Sequence, residues 1–327
     1  MRKPFKIVGA GVSLPDKVLT NADLEKMVNT SDEWIVERTG IRERRIVESD
    51  VATSDLAAGA LAQACGDAGL SVRDLDTIIV ATSTPDTVFP STACWTQRKL
   101  GIKGAAAFDV SAGCTGWMYA LELGVALLMA GTSRRVGVCG AEVMSRVIDW
   151  TDRSTCVLFG DGAGATIIEK GDGSTGILAS NWGADGNLAP ILYQPAGGTQ
   201  KPATAETVAA REHAVYMEGN AVFRHAVRAM SRAASLALDD AGLGPDAVDL
   251  LIPHQANIRI MEATRQRCGV SSDRLFGIVD RYGNMSAASV PVALHHARRD
   301  GRLADGSALA VTAFGTGLTW AGSVIRM

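Results

Sequence analysis

Residues 108–131 read FDVSAGCTGWMYALELGVALLMAG and set one cysteine, Cys114, between a short strand-like run and a long apolar helical run. A helix N-terminus exposes unpaired N–H groups and about half a positive charge, which would lower the pKa of a thiol placed there and make it a nucleophile. Gly113 and Gly116 stand on either side and would let the backbone turn sharply and approach a substrate closely. Two other stretches offer partners. LLIPH (250–254) ends a buried-strand pattern and delivers His254 at its carboxyl end, where open α/β sheets bind ligands. DRYGNMSAASVPVAL (280–294) places Asn284 after Gly283, at a turn before a helix. Taken alone, a histidine placed like His254 is more often a hydrogen-bonded structural residue, and a Gly-Asn turn is common. With Cys114 they make a Cys/His/Asn constellation suited to acyl transfer through a covalent thioester.

The elements that must position these residues alternate. β-branched runs at FKIVGAGV, DTIIVATS, AAAFDVS and RRVGVCGAE are separated by helical stretches at 50–69, 91–100 and 114–130. The order recurs with helix 218–241, strand VDLLIPH, helices 256–268 and 287–299, and a closing strand pair GSALAVTAF and TWAGSVIRM. Such alternation predicts an α/β protein with a mostly parallel sheet covered by helices. It also predicts two similar halves, 1–172 carrying the cysteine and 173–327 carrying the histidine and asparagine, packed as one body. Residues 184–213 have weak periodicity and read as a surface excursion. FGDGAGATIIEK (159–170) has the glycine spacing of a nucleotide loop but leads into a strand pattern rather than a helix, so it reads as a tight core turn.

Composition narrows the function classes. The net charge of −3 is spread along the chain and gives no basic face for nucleic acid. No apolar run reaches the roughly 18 residues of a membrane span, and the early stretch MRKPFKIVGAGVSLP lacks an export signal's cleavage pattern. Cys65, Cys94, Cys139, Cys156 and Cys268 are scattered without a C-x-x-C pair, which predicts reduced core thiols in a cytoplasm. The adjacent His295 and His296 would point apart on a helix, so no metal site is expected.

NTSDEWIVERTGIRERRI (29–46), FDVSAGCTGWMYAL, FGDGAGA, PHQAN (253–257), GNMSAASVP (283–291) and FGTGLTW (314–320) resemble, in this order, the β-ketoacyl-acyl-carrier-protein synthase III family. The resemblance implies a thiolase-like fold: duplicated βαβαβαββ halves forming a five-layered α-β-α-β-α body that works as a homodimer. It implies that Cys114, His254 and Asn284 are catalytic, and that the main-chain N–H groups of Cys114 and Thr316 form an oxyanion hole. The family usually has glycine where this chain has Thr316. By the same resemblance Trp34, Arg38 and Arg153 hold the nucleotide end of coenzyme A, and Phe223 and Asn257 line the pantetheine path. The resemblance also implies that Phe89, in STPDTVFPSTACW, closes the partner subunit's acyl pocket.

The implied reaction condenses an acyl-coenzyme A primer with malonyl-acyl carrier protein, losing carbon dioxide. Acyl-coenzyme A is a substrate, and no bound cofactor is needed. ANIRIMEATRQR (256–267) carries Arg259, Arg265 and Arg267 on one helix, a positive face suited to an acidic carrier. The resemblance adds Arg224 to this rim, and Gln255 is placed on the same docking face. Related synthases that prime polyketides, make quinolones or transfer acyl groups to oxygen or nitrogen share these motifs, and a non-catalytic carrier-binding scaffold is a further reading. A papain-like protease also has the order Cys, His, Asn, but its signature around the nucleophile is absent here.

Overall fold

The computed structural model describes residues 3–327. Thr77–Ala81 reads TIIVA and every residue of it is buried, as in a strand covered on both faces. It belongs to the main sheet, which among the described residues has nine strands: β1 (Lys3–Ser13), β2 (Thr77–Ala81), β3 (Ala106–Val110), β4 (Arg135–Val143), β5 (Asp161–Lys170), β6 (Gly176–Ala184), β7 (Leu250–Pro253), β8 (Ala308–Gly315) and β9 (Thr319–Arg326). Their order is β7-β8-β9-β6-β1-β5-β4-β2-β3. Only two residue pairs, Lys3 with Ile177 and Pro4 with Gly176, join β1 to β6. Two half-sheets therefore meet at that seam.

Seven longer helices connect the strands: α1 (Asp32–Thr39), α2 (Thr53–Asp67), α3 (Thr92–Lys99), α4 (Gly116–Met129), α5 (Gly219–Ala241), α6 (Ile258–Arg267) and α7 (Ser289–Arg299). The first half runs β1-α2-β2-α3-β3-α4-β4-β5, and the second repeats it as β6-α5-β7-α6-α7-β8-β9. Where the first half has β3 beside β2, the second has a single parallel bridge from Leu275 to Leu251.

The sheet is mixed rather than mostly parallel. β2 runs parallel to β3 and β4, and β7 to β8, but the other pairs are antiparallel. Each half ends on a return between adjacent strands, β4 to β5 through a loop with short helical turns and β8 to β9 through a tight turn, and neither return has a long crossover helix, so each makes an antiparallel pair. β-branched runs reveal strands but not their direction.

α4 is apolar on nearly every side, and α7 buries Val290, Val292 and Leu294. Both sit in one core with Ile79, Val138 and Ile168 of one half-sheet and Ile252, Val311 and Ile325 of the other. α2 covers the outer face of the first half-sheet through Leu56, Ala60 and Leu61. α5 covers the second through Ala234, Ala237 and Leu238. The result is five layers, α-β-α-β-α, with α4 and α7 in the middle. Among the described residues no helix is long and apolar enough to cross a membrane. The glycine-rich stretch from Phe159 leads into β5, and Asp161 there is buried and accepts from the Val47 and Ser145 N–H groups and the Ser145 hydroxyl. It is a core turn.

Candidate active site

Pseudo-equivalent positions of the two halves supply two of the three expected groups. Cys114 precedes α4 and Asn284 precedes α7, so the middle layer aims both helix starts at one region. Cys114 stands in a tight turn, Gly113–Thr115, that feeds into α4. Gly113 has φ +55°, and a Cβ there would come within 2.6 Å of the Thr316 main-chain nitrogen. A Cβ at Gly315 would lie 2.5 Å from the Cys114 nitrogen. The end of β8 is thus in backbone contact with the cysteine turn, which brings the N–H groups of Cys114 and Thr316 together.

The thiol is half-buried, and its pKa is raised, not lowered as its place before a helix suggested. Burial pushes it up to about 12, with the nearby Glu142 carboxylate adding to the rise and the Ser286 hydroxyl opposing it. Desolvation outweighs the partial charge of the helix start. The resting group is a neutral thiol.

His254 extends the parallel ladder beyond β7, its N–H donating to Thr312 O at 2.7 Å. Its side chain is buried, its Nδ1 has no protein partner, and burial lowers its pKa to about 3. The imidazole is neutral at working pH. Asn284 is held by its neighbours: its N–H donates to Leu158 O at 2.8 Å and its carbonyl accepts from Gly160 N–H at 3.0 Å. Gly283 before it has φ +63°, a conformation that strains any residue with a side chain. The Asn284 Oδ1 accepts from the Ser286 N–H at 2.9 Å.

Cys114, His254 and Asn284 line one cavity of about 450 Å³, together with Thr316 and Ser286. Its apolar wall includes Met144, Leu192, Met217, Met230 and Phe314. Leu192, Tyr193 and Gln194 come from the 184–213 excursion, which is therefore part of the cavity wall as well as surface. Phe223 and Asn257 also line the cavity. Asn257 caps α6, accepting from Arg259 N–H at 2.8 Å and donating to Arg38 O at 2.9 Å. The Arg38 and Arg153 guanidiniums stand 5.1 and 4.6 Å from the Trp34 ring centre. The three residues expected at the nucleotide end are one cluster.

The docking residues divide. Arg224, Arg259 and Arg267 are exposed, and Arg259 lies 5.6 Å from the Phe223 ring at the cavity. Arg265 instead pairs with Glu262 at 2.7 Å and donates to Val270 O at 2.6 Å. Gln255 cannot meet a carrier. It has no accessible surface, and its amide bonds to Pro253 O, Phe276 O and Ile278 N–H, because the bend after β7 turns it into the core. Phe89 does not line the cavity of its own protomer and is 84% exposed. Ser286 and Glu142 escaped the sequence reading. The available signal was an acidic residue inside the otherwise apolar strand RVGVCGAEV.

A family description, 3-oxoacyl-[acyl-carrier-protein] synthase III, matches residues 108–186, and that of the same family's C-terminal region matches 238–327. A β-ketoacyl-[acyl-carrier-protein] synthase III of Caldanaerobacter subterraneus subsp. tengcongensis is 52% identical over 320 residues, 98% of this chain and 97% of the relative. This chain belongs to that family. As a synthase III it is a condensing acyltransferase that acts at the initiation of fatty acid synthesis. The crystal structure of 3-oxoacyl-[acyl-carrier-protein] synthase III from Aquifex aeolicus superposes with a TM-score of 0.91 at 43% identity, covering 99% of this chain and 100% of that one. The priming β-ketosynthase of a polyketide pathway gives the same TM-score at 33% identity, covering 99% and 97%. The thiolase-like fold is shared.

Proposed function

We propose that Cys114 takes an acyl group from acyl-coenzyme A and that His254 and Asn284 then drive its condensation with malonyl-acyl carrier protein. The observation that supports this most directly is the convergence of a thiol, a neutral imidazole and a side-chain amide on one cavity. In the first half-reaction the Cys114 sulfur attacks the thioester carbonyl, and the N–H groups of Cys114 and Thr316 hold the developing oxyanion. In the second, loss of carbon dioxide puts charge on the malonyl thioester oxygen. The Nε2–H of His254 and the amide of Asn284 donate to it, and the carbanion attacks the acyl-cysteine. Neither step calls on a metal or prosthetic group, since each charge that develops meets a hydrogen-bond donor.

The Trp34, Arg38 and Arg153 cluster holds the nucleotide of coenzyme A, with its arm passing Phe223 and Asn257. Arg224, Arg259 and Arg267 receive the acidic carrier. The enzyme works as a cytoplasmic homodimer, a reading supported by its free thiols and by Val88 and Phe89, 87% and 84% exposed on one loop. Similarity to a polyketide-priming ketosynthase favours one second reading, priming with a different acyl group. Intact mass spectrometry after incubation with a panel of acyl-coenzyme A thioesters tests both. The acyl group that accumulates on Cys114 names the primer class, and no adduct with any of them would sink the assignment.

A further inference from the structure

Below the cavity lies a charge that neither half-reaction uses. Glu142, at the end of β4, is fully buried, and among the described residues no lysine, arginine or histidine pairs with it. Its carboxylate accepts from Ser83 N–H at 3.0 and 3.1 Å, Ala287 N–H at 3.4 Å, the Thr84 hydroxyl at 2.7 Å and the Thr82 hydroxyl at 3.1 Å. The two threonine oxygens also accept from the N–H groups of Val143 and Thr84, which leaves their protons to donate to Glu142. A set made only of donors fits an ionised carboxylate. A buried, unpaired charge is costly, so its place beside a nucleophile calls for a role.

Ser286 links the two. It is one of two non-glycine residues with positive φ among the described residues, at +46°, a strained conformation that clusters at functional sites. Two bonds hold the turn: its own N–H to Asn284 Oδ1 and the next N–H, of Ala287, to Glu142. Ser286 lines the cavity with Cys114, and its turn is tied to Glu142 through the next N–H, which places its hydroxyl between the two groups, where it opposes the rise in pKa that burial causes in each. Burial acts oppositely on the two candidate bases of the site: it strips His254 of basicity and makes Glu142 more basic.

We propose that Ser286 and Glu142 are a proton relay for Cys114, a role that rests on the acyl-cysteine chemistry above. As the sulfur bonds to the acyl carbon, its S–H bond breaks and the proton passes to Ser286 Oγ while the Ser286 proton passes to Glu142. When the thioester C–S bond of the donor breaks, the departing thiolate recovers a proton by the same path reversed. One thioester replaces another, and Glu142 ends as it began. His254 stays neutral for its part in decarboxylation.

The test is rapid-quench mass spectrometry of acyl-Cys114 formation from acetyl-coenzyme A between pH 6 and 9, on the full-length enzyme. Wild type should give a rate nearly flat with pH. Ser286→Ala keeps the main-chain bonds of the turn to Asn284 and Glu142, so it should fold. It should acylate about 100-fold more slowly at neutral pH, with a rate rising about tenfold per pH unit as hydroxide takes over from the lost base. Glu142→Gln should behave alike. Decarboxylation of a small malonyl thioester should survive in Ser286→Ala. A wild-type rate and flat profile in Ser286→Ala would overturn the relay, as would equal loss of acylation and decarboxylation with no change in slope. Failure of the wild type itself to form an acyl-enzyme would instead remove the reading of Cys114 on which the relay depends.

Discussion

The side-chain oxygen of Asn284 accepts the Ser286 N–H at 2.9 Å, so the amide nitrogen is the end left to face the cavity. Asn284 is therefore a donor by construction. Replacing it with aspartate puts an acceptor where the malonyl thioester oxygen gains charge. Asn284→Asp should cut decarboxylation and condensation by about 100-fold or more, while the acyl-enzyme still forms. His254→Ala should do the same. Cys114→Ala should show the reverse, with slow malonyl decarboxylation and no acyl transfer. Separate assays of the two half-reactions decide this. If His254→Ala stopped acylation and spared decarboxylation, the division of labour would be wrong.

Buried histidines set an acid limit on stability. Burial lowers His254 to about 3 and His296 to about 4, whereas both titrate near 6.5 once unfolded. Between those values the unfolded chain binds protons that the folded one does not, so stability falls as pH drops from about 6.5 toward 4. The melting temperature should fall across that window, and less steeply in His254→Gln, which removes one such proton. An identical pH dependence in wild type and variant would mean that His254 is charged in the fold.

Two neighbours once assigned to the same docking face should behave oppositely. Arg259 is exposed beside the cavity mouth, so Arg259→Glu should raise KM for malonyl-acyl carrier protein and flatten its salt dependence, with little effect on a small malonyl thioester. Gln255→Ala removes three buried hydrogen bonds and should cost about 1–3 kcal/mol of stability. Thermal melts and carrier titrations on both variants separate the roles. Equal loss of Arg259→Glu activity with carrier and with small thioester would place Arg259 in the chemistry instead.

What the sequence disclosed and what it hid follow one physical division. His254 was legible because a strand pattern ends at Pro253, and Cys114 because its glycines mark a turn into an apolar helix. Those are local signals. Gln255 misled because its neighbours His254 and Arg259 face the cavity and the surface, yet the bend between them rotates it inward. The direction of the Cys114 shift depends on depth of burial and on Glu142, a residue 28 positions along the chain. Ser286 sits in a small-residue run, SAAS, where no pattern says which side chain faces the thiol. Long-range packing decides each of these.

Phe89 carries the last prediction because a ring so exposed is free to pack against another subunit. At 84% exposed it buries little within its own protomer, so Phe89→Thr should change protomer stability by no more than about 0.5 kcal/mol. If the loop instead enters the partner's acyl pocket as a plug, the ring favours short primers, since forcing a longer chain past it costs about 1–3 kcal/mol of strain. Phe89→Thr should then raise kcat/KM for medium-chain acyl-coenzyme A relative to acetyl-coenzyme A by roughly tenfold, the equivalent of about 1.4 kcal/mol. Competition between the two primers on wild type and variant measures the ratio, with light scattering to check that both remain dimeric. An unchanged ratio in a folded dimer would shift the control of chain length to residues that line the cavity of the same protomer. Thr316, whose side chain lines the cavity beside Cys114, would be the first of them to test.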